Sequence, residues 1–102
     1  MSYRVEKWNR DSAPAASELK QIMLGEGYSV FQWTDAPGAI YGDHMHNDDQ
    51  THWIVTGMLE LNVDKIGVVV LGPGDRDFMP AGTIHSARTV GNRPVSYLIG
   101  RK

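Results

Sequence analysis

Apolar residues near the amino terminus of this chain recur every three or four positions. Between residues 15 and 24 this spacing places them on one face of a helix. We expect Ser12 to cap this helix, Pro14 to occupy its first turn and Gly25 to end it. The apolar face consists of Leu19, Ile22 and Met23.

From residue 28 onward the apolar runs are short and are bounded by Gly, Pro, Asp and Asn. In residues 59–63 apolar and polar side chains alternate, which is typical of a strand with one face on the core. We expect eight strands, over residues 28–33, 39–44, 50–56, 58–63, 67–71, 77–79, 84–89 and 95–99. This pattern predicts an all-β sandwich or barrel, and an antiparallel barrel or jelly roll also limits exposed strand edges.

The length of 102 residues predicts a single domain over residues 1–102. Within it we expect an amino-terminal strand and the helix at about residues 3–25, and a barrel at about residues 28–100. A core of this size has little stability to spare, so we expect a homodimer formed through sheet or amino-terminal strand contacts.

Charge and composition exclude several classes of partner. The net charge is −2 and the basic residues are scattered, so we expect neither nucleic-acid nor membrane binding. No apolar run approaches the roughly 20 residues of a membrane span, and the charged amino terminus has no apolar signal segment. The absence of cysteine excludes disulfides and fits a reducing compartment. We therefore expect a soluble cytoplasmic protein.

All four histidines fall in two short segments that also carry glycines and a proline. The segments read Gly38-x5-His44-x-His46-x3-Gln50-x-His52-x4-Gly57 and Gly74-x5-Pro80-x-Gly82-x2-His85. Strand residues two apart point to the same side, so His44 and His46 share a face of their strand, and Gln50 and His52 likewise share a face if the next strand begins near Gln50. The Pro-x-Gly turn places His85 at the start of a further strand. Three imidazoles and one oxygen donor suit a divalent first-row metal with open positions.

These segments resemble the two motifs of the cupin superfamily, G-x5-H-x-H-x3 or x4-E-x6-G and G-x5-P-x-G-x2-H-x3-N. The resemblance covers residues 38–89, with Gln50 at the glutamate position and Thr89 at the asparagine position. It implies a cupin-type double-stranded β-helix, a small jelly-roll barrel, with one short amino-terminal helix. The fold also hosts many activities, so the motifs alone do not specify a reaction.

By the same resemblance, His44, His46 and His85 are metal ligands and Gln50 takes the place of the carboxylate ligand. A neutral amide leaves one more unit of positive charge on the site, which favours Lewis acidity and anionic substrates. It also favours Fe(II), Ni(II), Cu(II) or Zn(II) over Mn(II), which suits carboxylates.

Three roles are open to His52. It can replace Gln50 as fourth ligand, act as an acid or base beside the metal, or pack in the core against a backbone carbonyl. Alternation also directs an apolar set toward the pocket, consisting of Ile40, Ile54 and Ala87.

Other residues have weaker claims to the site. Aromatic residues in small β-domains are usually core or interface residues, although Trp33, Tyr41 and Trp53 can line a pocket. Alternation turns Trp53 away from His52 and turns Arg88 outward. We interpret the acidic cluster as a solvated or turn-capping loop; it comprises Asp43, Asp48 and Asp49.

The leading hypothesis is a small metalloenzyme that acts on an organic acid, enediol or phenol, as an oxygenase, isomerase or lyase. In it, His52 transfers protons beside the metal. The alternative is a module that binds a sugar or carboxylate in the same pocket without turnover. A third interpretation is a barrel whose histidines are structural.

Overall fold

The computed structural model describes residues 2–102, which form one helix and nine strands. The strands are β1 (Arg4–Glu6), β2 (Ser29–Asp35), β3 (Ile40–His44), β4 (Gln50–Thr56), β5 (Leu59–Val63), β6 (Gly67–Leu71), β7 (Arg76–Met79), β8 (His85–Thr89) and β9 (Val95–Arg101). The helix α1 (Ala16–Gly25) connects β1 to β2. All eight predicted strands are present, and the largest shifts extend two of them to Asp35 and Arg101.

The strands form two antiparallel sheets. One has the order β1-β7-β4-β9-β2 and the other the order β3-β8-β5-β6. Neighbours in each sheet are mostly distant in sequence, as in a jelly roll. The predicted all-β jelly roll with one helix is confirmed, although the two sheets remain separate and do not close into a continuous barrel.

Two apolar clusters hold these layers together. The first fills the space between the sheets and comprises Ile54, Leu59, Leu61, Val63, Leu71, Met79, Val95 and Tyr97. In the second, Leu19 and Met23 of the helix pack on Trp53 and Leu98. Alternation along β4 explains the division, because Ile54 and Trp53 project to opposite faces of the strand. The helix thus covers the outer face of the larger sheet and leaves its inner face to the site.

The start of the helix differs from the prediction. Its N-cap is Ala15, and no side chain caps it, so the predicted role of Ser12 is wrong. Ser12 lies three residues before the cap, where its carbonyl accepts a hydrogen bond from Trp8 Nε1 at 2.9 Å. The helix ends at Gly25 as expected. Over residues 2–102, every helix is too short and too polar to cross a lipid bilayer.

Candidate metal centre

Three histidines meet where the smaller sheet faces the cavity between the layers. His44 ends β3, His85 begins β8, and the two are cross-strand partners. His46 reaches the same point from the loop after β3. The ring centroids of His44 and His85 are 4.2 Å apart, and that of His46 lies 5.0 and 5.3 Å from them. One ligating atom from each of the three lies within 4.8 Å of the others.

Backbone carbonyls orient two of these rings. Nδ1 of His44 lies 2.7 Å from the carbonyl oxygen of Gly42, and Nδ1 of His85 lies 3.0 Å from that of Thr83. Because a carbonyl oxygen only accepts, each Nδ1 must donate, which leaves the lone pair on Nε2. Such contacts fix the tautomer and orientation of metal-binding imidazoles.

The environment also favours the neutral, ligating form of two imidazoles. Burial lowers the pKa of His85 to about 4; the hydrogen bond to Thr83 opposes this shift and the neighbouring histidines add to it. Burial likewise lowers the pKa of His46, assisted by His44. Metal binding requires deprotonated ligands, so both groups are ready to bind near neutral pH.

The donor set fits a single first-row ion. Nitrogen ligands at about 2.1 Å in tetrahedral geometry are about 3.4 Å apart, so small ring rotations close the observed spacing around an ion. Imidazole donors suit zinc, copper, iron and nickel.

Gln50 lies beside this cluster at the start of β4 and is only 4% exposed. It lines the same cavity as the three histidines. Its Nε2 donates to Asp48 Oδ1 at 3.2 Å, which directs the amide nitrogen to the loop and leaves Oε1 as the oxygen donor.

His52 lies next to the cluster and is held by a carboxylate. Its Nδ1 is 2.8 Å from Asp77 Oδ1, and its ring centroid is 6.5 Å from that of His85. Burial acts to lower the pKa of His52, but the charge of Asp77 and this hydrogen bond outweigh it, so the pKa is raised. The partner is therefore a carboxylate rather than the backbone carbonyl considered in the packed-core alternative.

The four histidines border a cavity of about 320 Å³. Its lining is largely apolar and aromatic, and comprises Phe31, Trp33, Tyr41, His44, His46, Gln50, His52, Leu59, Leu61, His85, Ala87, Tyr97, Ile99 and Arg101. Ala87 lines this cavity as predicted, and so do the candidates Trp33 and Tyr41. Trp53 does not, because it packs under the helix.

Two of the predicted pocket residues lie elsewhere. Ile54 points inward but is fully buried in the core below the cavity. Ile40 is 75% exposed, so its prediction is wrong. The register of β3 against β8 shifts between Tyr41 and His44, and this irregularity places Tyr41 rather than Ile40 on the cavity side with His44.

Asp35 organises the aromatic wall of the cavity and was missed by the sequence interpretation. It accepts hydrogen bonds from Trp33 Nε1 at 2.9 Å, Tyr41 Oη at 2.5 Å and Tyr97 Oη at 2.8 Å. The hydrogen bond from Tyr41 to Asp35 raises the pKa of the Tyr41 phenol. Asp35 follows the predicted end of its strand, so the sequence carried no signal for this role.

The remaining candidates stay outside the cavity. Arg88 points outward and pairs with Glu60 Oε2 at 2.5 Å, as alternation predicted. In the acidic loop, Asp49 Oδ1 accepts the backbone amide of Ala81 at 2.9 Å, which fits a turn-capping role.

Comparisons with known proteins agree with the resemblance seen in the two histidine segments. The cupin domain family model matches residues 31–99. No curated protein matches the sequence. Among solved structures, the DMSP lyase DddQ from Ruegeria pomeroyi is 28% identical with a TM-score of 0.68. The alignment covers 74% of this chain and 38% of that protein, so this chain is much shorter than the lyase.

Two further structures show the same fold. A protein with a double-stranded β-helix domain from Klebsiella pneumoniae is 24% identical, with a TM-score of 0.64 and coverage of 72% of this chain and 65% of that one. A deletion mutant of Bacillus subtilis oxalate decarboxylase OxdC is 21% identical, with a TM-score of 0.66 and coverage of 74% and 21%. Oxalate decarboxylase from that organism has Mn(II) centres.

Proposed function

This chain belongs to the cupin family, and we propose that it is a metal-dependent enzyme acting on a small organic acid by Lewis-acid chemistry of the lyase or isomerase type. The observation that carries the proposal is the convergence of three imidazoles on a cavity that a fourth, carboxylate-bound imidazole also borders.

In this proposal His44, His46 and His85 hold one divalent transition metal, with Gln50 completing the shell through Oε1. When bound, the ion polarises a substrate oxygen and stabilises the negative charge that develops on it. The two carbonyl contacts to Nδ1 atoms supply the orientation that such ligands need.

His52 is proposed to act as the general base, which takes up a proton during the reaction. Because Asp77 occupies Nδ1, the second ring nitrogen is the atom available to the cavity. An imidazole oriented by a buried carboxylate is a familiar arrangement for a general base, and the carboxylate stabilises the imidazolium that forms.

The three-histidine group is tested by metal analysis of protein purified without chelator. We expect about one metal ion per chain, and loss of the ion in His44→Ala with the fold retained by circular dichroism. Arg88→Ala is the matched control, because Arg88 points outward from β8. A folded wild-type protein that takes up none of Fe, Mn, Ni, Cu or Zn would contradict the proposal.

Catalysis is tested with the metal-loaded protein on a panel of small acids. DMSP and oxalate belong in this panel because the similar structures include a DMSP lyase and an oxalate decarboxylase. Turnover that disappears in His52→Gln, with metal content unchanged, supports the proton-transfer role. Saturable binding without turnover would favour the non-catalytic binding module instead.

The homodimer and the cytoplasmic location remain predictions. Light scattering of the purified chain tests the first, and fractionation of the source cells tests the second.

A further inference from the structure

The cavity contains one formally charged Lys, Arg, Asp or Glu side chain among its lining residues in the range 2–102. This residue is Arg101, at the end of β9. The lining contains no aspartate or glutamate among residues 2–102, although Asp35 and Asp77 lie behind it. Asp35 is engaged by three donors and Asp77 by His52, so neither one pairs with Arg101.

Strand pairing directs Arg101 to the metal end of the cavity. Arg101 is the cross-strand partner of Gln50, and such partners project from the same face of a sheet. Its guanidinium carbon lies 5.7 Å from the centre of the Phe31 ring, within the range of a cation–π contact. The charge of Arg101 also contributes to the lowered pKa of His46, after the effects of burial and the neighbouring histidines.

The guanidinium of Arg101 has donors to spare. Its Nε lies 3.8 Å from Asp48 Oδ2, which is too long for a hydrogen bond. Asp48 is also committed to Gln50 through its other oxygen. By contrast, Arg76 donates to Thr51 and Glu26, and Arg88 donates to Glu60. Within residues 2–102 the Arg101 guanidinium makes no such hydrogen bond, so it can receive a ligand.

We propose that Arg101 is a carboxylate-binding subsite, and that the ligand is an amphipathic carboxylic acid. Its carboxylate pairs with the guanidinium, as the planar fork of arginine favours. Its apolar body lies against the aromatic and aliphatic wall, which includes Trp33, Leu61 and Ile99. Among the described residues of the metal-free cavity, Arg101 is the one cation of the lining and Asp48 Oδ2 lies 3.8 Å from its Nε, so the subsite offers at most one net positive charge. This favours a carboxylate over a phosphate dianion. The inference deepens the proposed function and rests on it for the claim that this ligand is a substrate.

Binding of benzoate to the metal-free 102-residue chain tests the subsite. Titration is followed by backbone amide shifts of Phe31, Trp33 and Arg101, with benzamide as the uncharged probe of the same shape. We expect saturable benzoate binding and at least about tenfold weaker benzamide binding, since charge-assisted hydrogen bonds are lost.

Variants test whether Arg101 supplies the positive charge that binds benzoate. Arg101→Gln is expected to weaken benzoate at least about tenfold, and Arg101→Lys by less, because lysine keeps the charge but not the fork. Arg88→Gln is the matched control and leaves binding unchanged. Asp48→Asn strengthens binding, because it removes the competing charge while its amide oxygen still accepts from Gln50.

Three binding results would overturn the subsite. They are benzoate binding that Arg101→Gln leaves unchanged, benzamide that binds as well as benzoate, and phenyl phosphate that binds more tightly than benzoate. The first result would mean that benzoate binds at the imidazoles and not at Arg101. Failure of the proposed function is distinguishable, because a protein that binds no metal can still bind benzoate at Arg101. Conversely, if the metal-loaded wild type and the metal-loaded Arg101→Gln variant turn over the substrate equally well, the subsite is wrong and the proposed metal-dependent activity stands.

Discussion

Nδ1 of His52 lies 2.8 Å from Oδ1 of Asp77, a carboxylate with no solvent exposure. The backbone amide of His52 donates to the same oxygen at 2.9 Å, and the Tyr3 hydroxyl donates to Oδ2 at 3.0 Å. A buried carboxylate without such donors would be strongly destabilising. The amino-terminal segment therefore takes part in holding the imidazole that borders the metal centre.

Asp77→Asn is expected to lower the pKa of His52. In the wild type the carboxylate raises this pKa above 6.5 against the effect of burial, and the amide removes the charge while burial remains. Titration of the imidazole resonances of metal-free protein by NMR measures the change. Asp43→Asn, in an exposed part of β3, is the control. An unchanged His52 pKa in Asp77→Asn would show that Asp77 does not govern this imidazole.

Side-chain alternation correctly predicted which way the side chains of β4 face, because the strand is regular at its site residues. It lies between β7 and β9, and its pairing with both is continuous from Gln50 to Trp53. Gln50 and His52 consequently face the cavity, while Trp53 faces the helix. In β3 the same reasoning failed at Ile40, because the register shifts between Tyr41 and His44. Bulges are common at sheet edges, where β3 lies, and a pattern of residue types does not reveal them.

The missed site residues depend on contacts between distant parts of the chain. Asp35 meets Tyr97 across 62 residues because β2 pairs with β9. Arg101 reaches the cavity because β9 extends two residues beyond its predicted end. A polar residue at the end of a strand looks like a surface residue in the sequence. The cupin motifs identified the ligand set, whereas the wall that surrounds it depends on strand pairing that the motifs do not encode.

Two motif glycines are expected to differ in their tolerance of alanine. Gly38 and Gly57 have nearly equal φ angles, of 80° and 82°, so Ala is strained at both. A Cβ at Gly57 would lie 2.3 Å from the carbonyl oxygen of Pro94, whereas one at Gly38 would meet nothing within 4 Å. Gly38→Ala should lower the free energy of unfolding by about 1 kcal/mol, and Gly57→Ala by at least about 3 kcal/mol. Urea denaturation measures both, and equal losses would contradict the steric explanation.

Two buried threonines should respond to valine with opposite signs. Thr89 Oγ1 is buried and finds no hydrogen-bond partner in residues 2–102, so Thr89→Val should raise the free energy of unfolding by about 1 kcal/mol. Thr51 Oγ1 donates to the Asp77 carbonyl at 2.5 Å and accepts from Arg76 Nε at 2.8 Å. Thr51→Val removes a hydrogen bond from each of these buried partners and should lower the free energy of unfolding by about 2 to 3 kcal/mol.

Urea denaturation of the two valine variants beside the wild type gives both values. Destabilisation by Thr89→Val would mean that its hydroxyl has a partner, such as a water, that offsets its burial. Stabilisation by Thr51→Val would mean that the Arg76 contact contributes nothing to the fold.

The stability of the metal-free protein should fall as the pH decreases from about 6.5 to about 4, and His85 should account for part of this fall. The folded-state pKa of His85 is lowered to about 4 from an ordinary value of 6.5. In that interval the unfolded chain binds a proton that the folded chain does not, so acid favours unfolding. The full effect is roughly 3 kcal/mol in the free energy of unfolding.

His85→Asn isolates this contribution. The raised pKa of His52 acts in the opposite direction, since its stabilisation is present at low pH and is lost as the pH rises through that pKa. The difference between wild type and His85→Asn removes the His52 contribution, which both proteins share. Urea denaturation across the interval should therefore show a shallower fall in the variant than in the wild type. Parallel profiles would contradict the assignment to His85. Saturating metal should steepen the wild-type fall, because an ion on these nitrogens keeps the folded chain free of protons that the unfolded chain binds.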